Sequence, residues 1–246
     1  MSIKQGPKRA MILAAGLGLR MRPITKTLPK PLIKVAGKPL IGWAIDRLEE
    51  AGVEQVVVNL HHLGHLVRQH LDKRPAPEIL FSPEKDRLET GGGVVKALPM
   101  LGGAPFYVIN ADALWLNGAQ GALARMAQAW DGRRMDGLLL LHFTVDAYGY
   151  RGLGDFLLDQ TGGLVRRPES EISPYLFTGV QILHPRLFKG VPEGPFSLNA
   201  VYDKALEKGR LHGVLHDGEW FHIGTPEGLA EAEVFMGTRY AGIRRR

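Results

Sequence analysis

Short apolar runs alternate with amphipathic segments along the first half of this chain of 246 residues. The apolar runs have the length and composition of buried strands, and the intervening segments have the apolar spacing of helices. Pro39 and Gly52 frame the first such segment in the way that a helix start and end are usually framed. The predicted strands are 9–14, 55–60, 78–82, 106–110 and 137–142, and the predicted helices are 40–51, 63–71 and 121–130. This rhythm predicts an α/β fold with a doubly wound, mostly parallel, Rossmann-like sheet flanked by helices.

From about Arg151 the pattern changes. Two short segments, 152–159 and 164–167, are separated by Gly162 and Gly163, which is typical of a β-hairpin. Strands at 176–183 and 211–215 and helices at 200–208 and 226–236 then resume. We therefore predict a single domain with a small hairpin insert, which can close over a second substrate.

The loop after the first predicted strand is rich in small and cationic residues. Small side chains let backbone N–H groups approach an anion, and guanidinium and ammonium groups add full positive charge. The pattern therefore predicts a triphosphate site. Its nucleotide-binding residues are expected to be Ala14, Ala15, Gly16, Gly18, Leu19, Arg20 and Lys30.

Two common phosphate-binding motifs do not match this loop. Met21 occupies the third glycine position of a dinucleotide fingerprint, where a side chain obstructs close packing of helix and strand. The pair Gly37-Lys38 continues with Pro39 instead of Ser or Thr, and Leu32 stands where a P-loop has its first glycine. Both comparisons argue against a dehydrogenase or a P-loop enzyme.

The chain resembles the sugar-1-phosphate nucleotidyltransferases. Residues 14–25 read Ala-Ala-Gly-x-Gly-x-Arg-Met-x-Pro-x-Thr, and Pro-Lys-Pro-Leu follows at 29–32. The similarity continues through Leu-Glu-Thr-Gly-Gly-Gly at 88–93, Asn-Ala-Asp at 110–112, Phe-Thr-Gly at 177–179 and Trp-x-His-x-Gly-Thr-Pro at 220–226. It thus covers nearly the whole chain.

The resemblance implies an enzyme with a nucleotide-binding half at about 8–142 and a sugar-binding half, with the last helix, at about 143–236. Segment 88–93 and the short C-terminal half are most similar to uridylyltransferases. They imply UTP and N-acetylmuramate α-1-phosphate as substrates, and a role in peptidoglycan recycling. Guanylyl transfer to mannose-1-phosphate and thymidylyl or uridylyl transfer to glucose-1-phosphate are the alternatives.

Nucleotidyl transfer needs positioning and charge neutralisation more than it needs a base, because the attacking phosphate is already an anion. Arg20 is placed to neutralise the departing pyrophosphate. Lys30, held between two prolines, is the candidate for the α-phosphate. Asp112 follows a predicted strand, at the sheet edge where α/β proteins bind ligands, and it is the expected Mg²⁺ ligand.

Further contacts follow from the resemblance and from the predicted topology. The resemblance assigns base recognition to 88–93, with Thr90 and Gly91, and adds Asn110 to the nucleotide site. The hairpin and the Phe-Thr-Gly strand are expected to face the cleft. The candidate sugar-binding residues are therefore Gly154, Asp155, Thr178 and Gly179.

His222 departs from the family pattern, which has an aspartate at this position as a second metal ligand. Imidazole is a poor ligand for Mg²⁺ and suits Mn²⁺ or other softer divalent ions better. Three interpretations follow: His222 binds a metal, it contacts a phosphate while Asp112 alone holds Mg²⁺, or catalysis is impaired. The last would leave a regulatory protein that senses nucleotide sugars, and a hydrogen-bonded structural histidine is the plain alternative.

Composition and charge restrict the other classes. The formal net charge is +6, but five of the basic residues lie in the two tails (Lys4, Lys8 and Arg244 to Arg246). No basic stripe with interleaved aromatic residues points to nucleic acid. The chain has no cysteine and no apolar run near the roughly 20 residues of a membrane span. We expect a cytoplasmic monomer or small homo-oligomer with no nucleic-acid or membrane partner.

Overall fold

A computed structural model describes residues 5–240 of the chain. The tail residues Lys4 and Arg244 to Arg246 lie outside the described residues. Across 5–240, nine strands join one large sheet, with helices on both of its faces. This arrangement confirms the predicted α/β class.

The elements agree closely with the sequence pattern. In chain order, the strands are β1 (Arg9–Leu13), β2 (Lys34–Val35), β3 (Lys38–Pro39), β4 (Gln55–Leu60), β5 (Glu78–Pro83), β6 (Phe106–Asn110), β7 (Ala113–Leu116), β8 (Gly137–Phe143), β9 (Phe156–Leu158), β10 (Leu164–Arg166), β11 (Tyr175–Leu183), β12 (Leu211–Leu215) and β13 (Glu219–His222). The α-helices are α1 (Leu40–Glu50), α2 (Gly64–Leu71), α3 (Glu89–Leu101), α4 (Ala122–Ala129), α5 (Asn199–Glu207) and α6 (Pro226–Phe235). Three short 3-10 helices follow β1, at Leu19–Met21, Ile24–Lys26 and Lys30–Leu32.

The main sheet has a parallel core and a mixed second half. Its strand order is β10-β9-β11-β6-β1-β4-β5, and β8 and β12 extend it beside β11. The strands β6, β1, β4 and β5 are parallel neighbours, and so are β8 and β12. Strand β11 is antiparallel to both β6 and β8. Strands β9 and β10 form the hairpin that the sequence predicts.

Alternate residues of the central strands pack on opposite faces of the sheet. Ile12 and Val58 belong to a core with apolar residues of α1, α2 and α4. Met11 and Val57 belong to a second core with α3 and α5. All four side chains are fully buried, as period-2 strands covered on both faces require. The doubly wound arrangement is thereby confirmed.

A third, smaller core supports the loop after β1. Met21 of that loop packs in one buried cluster with Leu40 of α1, Leu114 of β7 and Phe221 of β13. Strands β7 and β13 form a separate antiparallel ribbon, which has no counterpart among the predicted elements. This cluster fixes the loop against the ribbon.

The order in which the chain adds strands to the sheet reverses beside β1. After β1 the chain builds β4 and β5 on one side and then returns to place β6 on the other. Ligands of open α/β sheets bind outside the carboxyl ends of the strands at such a switch point. The residues that follow β1 and β6, from Ala14 and from Ala111, therefore lie at the expected position of a site.

Candidate active site

The loop after β1 folds back on itself through short local contacts. Gly18 has a φ of 61°, and an added Cβ would lie 2.9 Å from Thr25 Cγ2 and 3.3 Å from Lys30 Cβ. The Thr25 hydroxyl donates to the Gly18 carbonyl at 2.8 Å. Only glycine satisfies both the left-handed backbone and this close approach. The fold of the loop thus requires Gly18, whereas a Cβ at Gly16 would meet no atom within 4 Å.

Lys30 and Asp112 form an ion pair at the mouth of the loop. The two residues are 82 positions apart, and the fold joins them because the 3-10 helix with Lys30 lies beside the carboxyl end of β6. The Lys30 side chain is 13% exposed and that of Asp112 is 34% exposed. The structure thus brings two of the three predicted catalytic residues together and leaves the carboxylate accessible.

A cleft of about 370 Å³ opens beside this pair. Its walls come from the β1 loop, the carboxyl ends of β4 and β6, and the start of α3. Seven predicted residues line it, namely Ala14, Ala15, Gly16, Lys30, Thr90, Asn110 and Asp112. Gly18, Leu19, Arg20 and Gly91 are not among its lining residues.

Arg20 lies at the exposed end of the loop, in the first 3-10 helix. Its guanidinium group has no hydrogen-bond or ion-pair partner in the part of the chain that the structure describes. An exposed, unpaired guanidinium next to an anion loop is free to bind phosphate oxygens.

His222 reaches the same site through the ribbon. In the β7–β13 register, His222 lies opposite Ala113, the residue after Asp112, and its backbone N–H donates to the Tyr148 carbonyl at 2.8 Å. Burial lowers the pKa of His222, and Arg20 lowers it further, whereas Asp112 opposes the shift. The register of the ribbon thus places the half-buried His222 near the residue that follows Asp112.

The segment 88–93 is helical where a loop was expected. Helix α3 begins at Glu89, so Thr90 and Gly91 lie in its first turn. The N–H groups of Gly91 and Gly92 donate to the Phe196 carbonyl, and a Cβ at Gly91 would lie 2.3 Å from the Phe196 ring. Close packing against this segment therefore explains the glycines, and the role of Gly91 in base recognition stays a prediction.

A buried polar brace, which was not predicted, supports the β1 loop. Asn59, at the carboxyl end of β4, accepts the Ala14 N–H at 2.7 Å and donates to Glu84 at 2.7 Å. Glu84 also accepts the Leu88 N–H at 3.1 Å. Both side chains are buried and line the cleft. Asn59 interrupts the apolar run that follows Gln55 in β4, but this local pattern does not reveal its partners.

Three more polar residues line the cleft and were not named as candidate site residues: Arg87, Glu89 and Ser197. Glu89 has a φ of 59°, in a region that residues other than glycine rarely adopt. Such conformations cluster at ligand sites. A local sequence pattern gives no indication of this conformation.

The candidate sugar residues divide into two groups. Asp155 follows Gly154 at the base of the hairpin, and one of its carboxylate oxygens accepts the Phe177 N–H at 2.8 Å. The Thr178 side chain is buried, and its hydroxyl donates to the Leu140 carbonyl at 2.8 Å. Gly179 packs against the Asn110 side chain. The geometry gives Thr178 and Gly179 structural contacts, and sugar binding by all four residues stays a prediction.

Asp112 fits a magnesium ion that is shared with substrate. Residues 5–240 contain no group of three or more His, Cys, Asp or Glu side chains that could hold a metal by themselves. Magnesium is usually bound through one or two carboxylates together with phosphate oxygens and water. One accessible carboxylate beside the loop that is predicted to bind phosphate matches that ligand set, with His222 as its neighbour.

Comparison with known proteins shows which family this chain is similar to. A family model described as nucleotidyl transferase matches residues 9–239. An N-acetylmuramate alpha-1-phosphate uridylyltransferase of Caulobacter vibrioides is 43% identical over 94% of this chain and 98% of its own length. The protein of the same description from Neisseria meningitidis serogroup B is 38% identical over 93% and 98%.

More distant matches share the architecture. A mannose-1-phosphate guanylyltransferase catalytic subunit beta of Drosophila melanogaster is 26% identical over 89% of this chain and 60% of its own length. The crystal structure of a UDP-glucose pyrophosphorylase complexed with UDP-glucose has a TM-score of 0.74 at 22% identity, covering 97% of this chain and 99% of that one. No helix in residues 5–240 is long and apolar enough to cross a membrane. The family match over residues 9–239 and the two similar full-length relatives show that this chain belongs to the nucleotidyl transferase family.

Proposed function

We propose that this protein transfers a uridylyl group from UTP to N-acetylmuramate α-1-phosphate, with release of pyrophosphate. The observation that carries the proposal is the meeting of Lys30 and Asp112 in the cleft beside the small-residue loop. The choice of substrates is supported by two relatives of that description, which match over nearly their whole length.

The reaction is an in-line displacement at the α-phosphorus. A phosphate oxygen of the sugar-1-phosphate forms the new P–O bond, and the bond from the α-phosphorus to the bridging oxygen of pyrophosphate breaks. Lys30 neutralises charge on the α-phosphate and the incoming phosphate, once substrate phosphates replace Asp112 as its partner. Arg20 neutralises the pyrophosphate that leaves. The backbone N–H groups of the β1 loop bind phosphate oxygens.

Asp112 is the residue that would hold Mg²⁺ in this proposal. When bound, the ion would neutralise the charge that develops on the phosphate oxygens. The divalent cofactor, the cytoplasmic location and the role in peptidoglycan recycling belong to the proposal together with the substrates. We assign His222 to phosphate contact, because an imidazole next to one carboxylate is a poor Mg²⁺ site.

The hairpin half is proposed to bind the sugar. One oxygen of Asp155 is used by the Phe177 N–H, and the other can accept a sugar hydroxyl. Tyr150 fixes this segment, because its hydroxyl accepts the Gly154 N–H at 3.1 Å and its ring packs edge-on against His222. Tyr150 thus connects the segment that carries Asp155 with His222.

Two other functions are weighed against this one. Guanylyl transfer to mannose-1-phosphate is less supported, because the Drosophila melanogaster protein of that description is 26% identical and the chain spans 60% of its length. A regulatory homologue with impaired catalysis is favoured only by His222. Substrate profiling separates the three functions.

The test is an assay of pyrophosphate release by the purified protein. Each nucleoside triphosphate is combined with N-acetylmuramate α-1-phosphate, mannose-1-phosphate or glucose-1-phosphate, in Mg²⁺ or Mn²⁺. We expect the highest kcat/KM for UTP with N-acetylmuramate α-1-phosphate. Preference for GTP with mannose-1-phosphate would overturn the substrate assignment, and no release in any combination would overturn the assignment as an enzyme.

A further inference from the structure

A second cavity, of about 540 Å³, lies at the opposite edge of the sheet from the catalytic cleft. Strand β8 runs parallel to β6, because β11 is antiparallel to both. The cavity lies at the amino ends of β8 and β12, where Leu211 pairs with Gly137. The catalytic cleft lies at the carboxyl end of β6. The two sites are therefore separated by the length of the sheet.

The lining of this cavity is strongly basic. Arg133, Arg134 and Lys208 line it and are exposed, and none of their side chains has a hydrogen-bond or ion-pair partner among the residues described. Arg210 also lines it, but its guanidinium is held by Asp136 at 2.9 Å. Three cations from two separate segments thus line one cavity without an ion-pair partner among the described residues.

One carboxylate, that of Asp159, also lines the cavity. Its Oδ1 atom accepts hydrogen bonds from the Thr161 hydroxyl at 2.8 Å, the Gly163 N–H at 2.8 Å and the Thr161 N–H at 2.7 Å. These bonds hold the pKa of Asp159 below its ordinary value, and the bond from the Thr161 hydroxyl contributes most. The carboxylate shapes the turn between β9 and β10, and it offsets only one of the three unpaired cations.

A buried histidine with an unused nitrogen completes the lining. His212 is 4% exposed, and its Nδ1 atom has no hydrogen-bond partner among the described residues. Burial lowers the pKa of His212, and the positive charge of Arg134 lowers it further. A buried polar atom without a partner is costly, and an anion bound in the adjoining cavity would favour the protonated form of the ring electrostatically.

We propose that this cavity binds a small anion that carries a phosphate group, either free phosphate or a phosphate ester. Guanidinium and ammonium groups are the side chains that bind phosphate oxygens best. The hairpin turn, with Thr161 and Gly163, forms one wall of the cavity. This site is separate from the proposed transfer reaction and does not depend on its substrates.

The hairpin connects the two sites. Its turn bonds to β12 through the Gly213 N–H, which donates to the Gly162 carbonyl at 2.9 Å, and its base carries Asp155 of the proposed sugar site. An anion between the turn and Lys208 would restrain the hairpin. Binding is therefore expected to slow hydrogen exchange in residues 157–165.

The experiment uses inorganic phosphate as its first probe and a sugar phosphate without nucleotide as its second. Hydrogen exchange is measured across the full chain with and without each probe, and affinity is measured by titration calorimetry. The variants are Lys208→Glu and Arg134→Glu, and Lys73→Glu, which reverses an exposed charge elsewhere, is the control. Thermal unfolding verifies that each variant is folded.

We expect phosphate to protect 157–165 and 208–212 in the wild type and in the control. Each charge reversal in the cavity should weaken that binding by about tenfold or more, because it replaces an attraction by a repulsion. Stronger protection by the sugar phosphate would identify an ester as the occupant, and equal protection would identify free phosphate. Protection confined to the β1 loop, or equal affinity in all four proteins, would overturn the proposal.

Discussion

Replacing Asp112 by Asn removes one negative charge from the candidate site while it preserves the size of the side chain. The asparagine oxygen can still accept a hydrogen bond from Lys30, so the local fold has little reason to change. The ion pair is partly exposed, with 34% of the Asp112 side chain accessible. Pairs in such surroundings contribute about 0–1 kcal/mol to stability. We expect the free energy of unfolding to change by no more than that amount.

The effect on catalysis should be far larger. Removing one preorganised charge or donor from a transition state costs roughly 10²–10³ in kcat, or about 2.7–4 kcal/mol. A lost Mg²⁺ ligand should also raise the Mg²⁺ concentration that gives half-maximal rate. Pyrophosphate release, measured over a range of Mg²⁺ concentrations, reports both quantities.

Asp46→Asn provides a matched control for this experiment. Asp46 is also paired with a lysine, Lys38, and its side chain is 35% exposed, but it lies on α1 away from the cleft. The Asp46→Asn variant should lose stability and keep its turnover. Asp112→Asn with turnover within about threefold of the wild type, a change worth less than 1 kcal/mol, would refute the role of Asp112. An equal loss in both variants would refute it as well.

Three further changes test other parts of the structure. His222→Asp should lower turnover, because it places a carboxylate where the imidazole is proposed to contact a phosphate; retained or improved Mg²⁺-dependent turnover, measured by pyrophosphate release, would overturn that assignment and indicate that this position holds the metal. Burial raises the pKa of Asp136, but hydrogen bonds from its two arginine partners outweigh this and lower it. Asp136→Asn should therefore cost about 2 kcal/mol or more at neutral pH, and the difference in urea denaturation should shrink as the pH falls through the lowered pKa; a pH-independent difference would argue against the ion pair. Gly91→Ala should lower the Tm and raise the KM for UTP, because its Cβ would lie 2.3 Å from the Phe196 ring; an unchanged Tm would show that this packing is loose.

The order of strands and helices followed from the sequence because it depends on local periodicity. Strand β1 and helix α1 each carry their own pattern of apolar residues, and both formed where that pattern predicts. The hairpin β9–β10 could equally be predicted from the sequence, since its turn contains two adjacent glycines. The first turn of α3 could not be predicted because glycines usually oppose a helix, whereas here the Phe196 segment packs against them.

The site was predictable where its residues belong to contiguous motifs and not where distant segments meet. Lys30 and Asp112 came from separate motifs, and the structure brings them together at the end of β6, while their catalytic roles stay predictions. The brace of Asn59 and Glu84 depends on β4, β5 and α3 coming together, which no local pattern encodes. The same holds for His222, whose nearness to Asp112 depends on the ribbon of β7 and β13.

That ribbon also determines when the site can form during synthesis. Strand β13 lies near the C-terminal end of the described chain, yet it pairs with the residues that directly follow Asp112. A ribosome that has released only the first half of the chain exposes strands β1, β4, β5 and β6, but the partner of β7 is still untranslated. Domains generally fold as units, and pairing between distant segments comes late. The catalytic edge is therefore completed only after almost the entire chain has emerged.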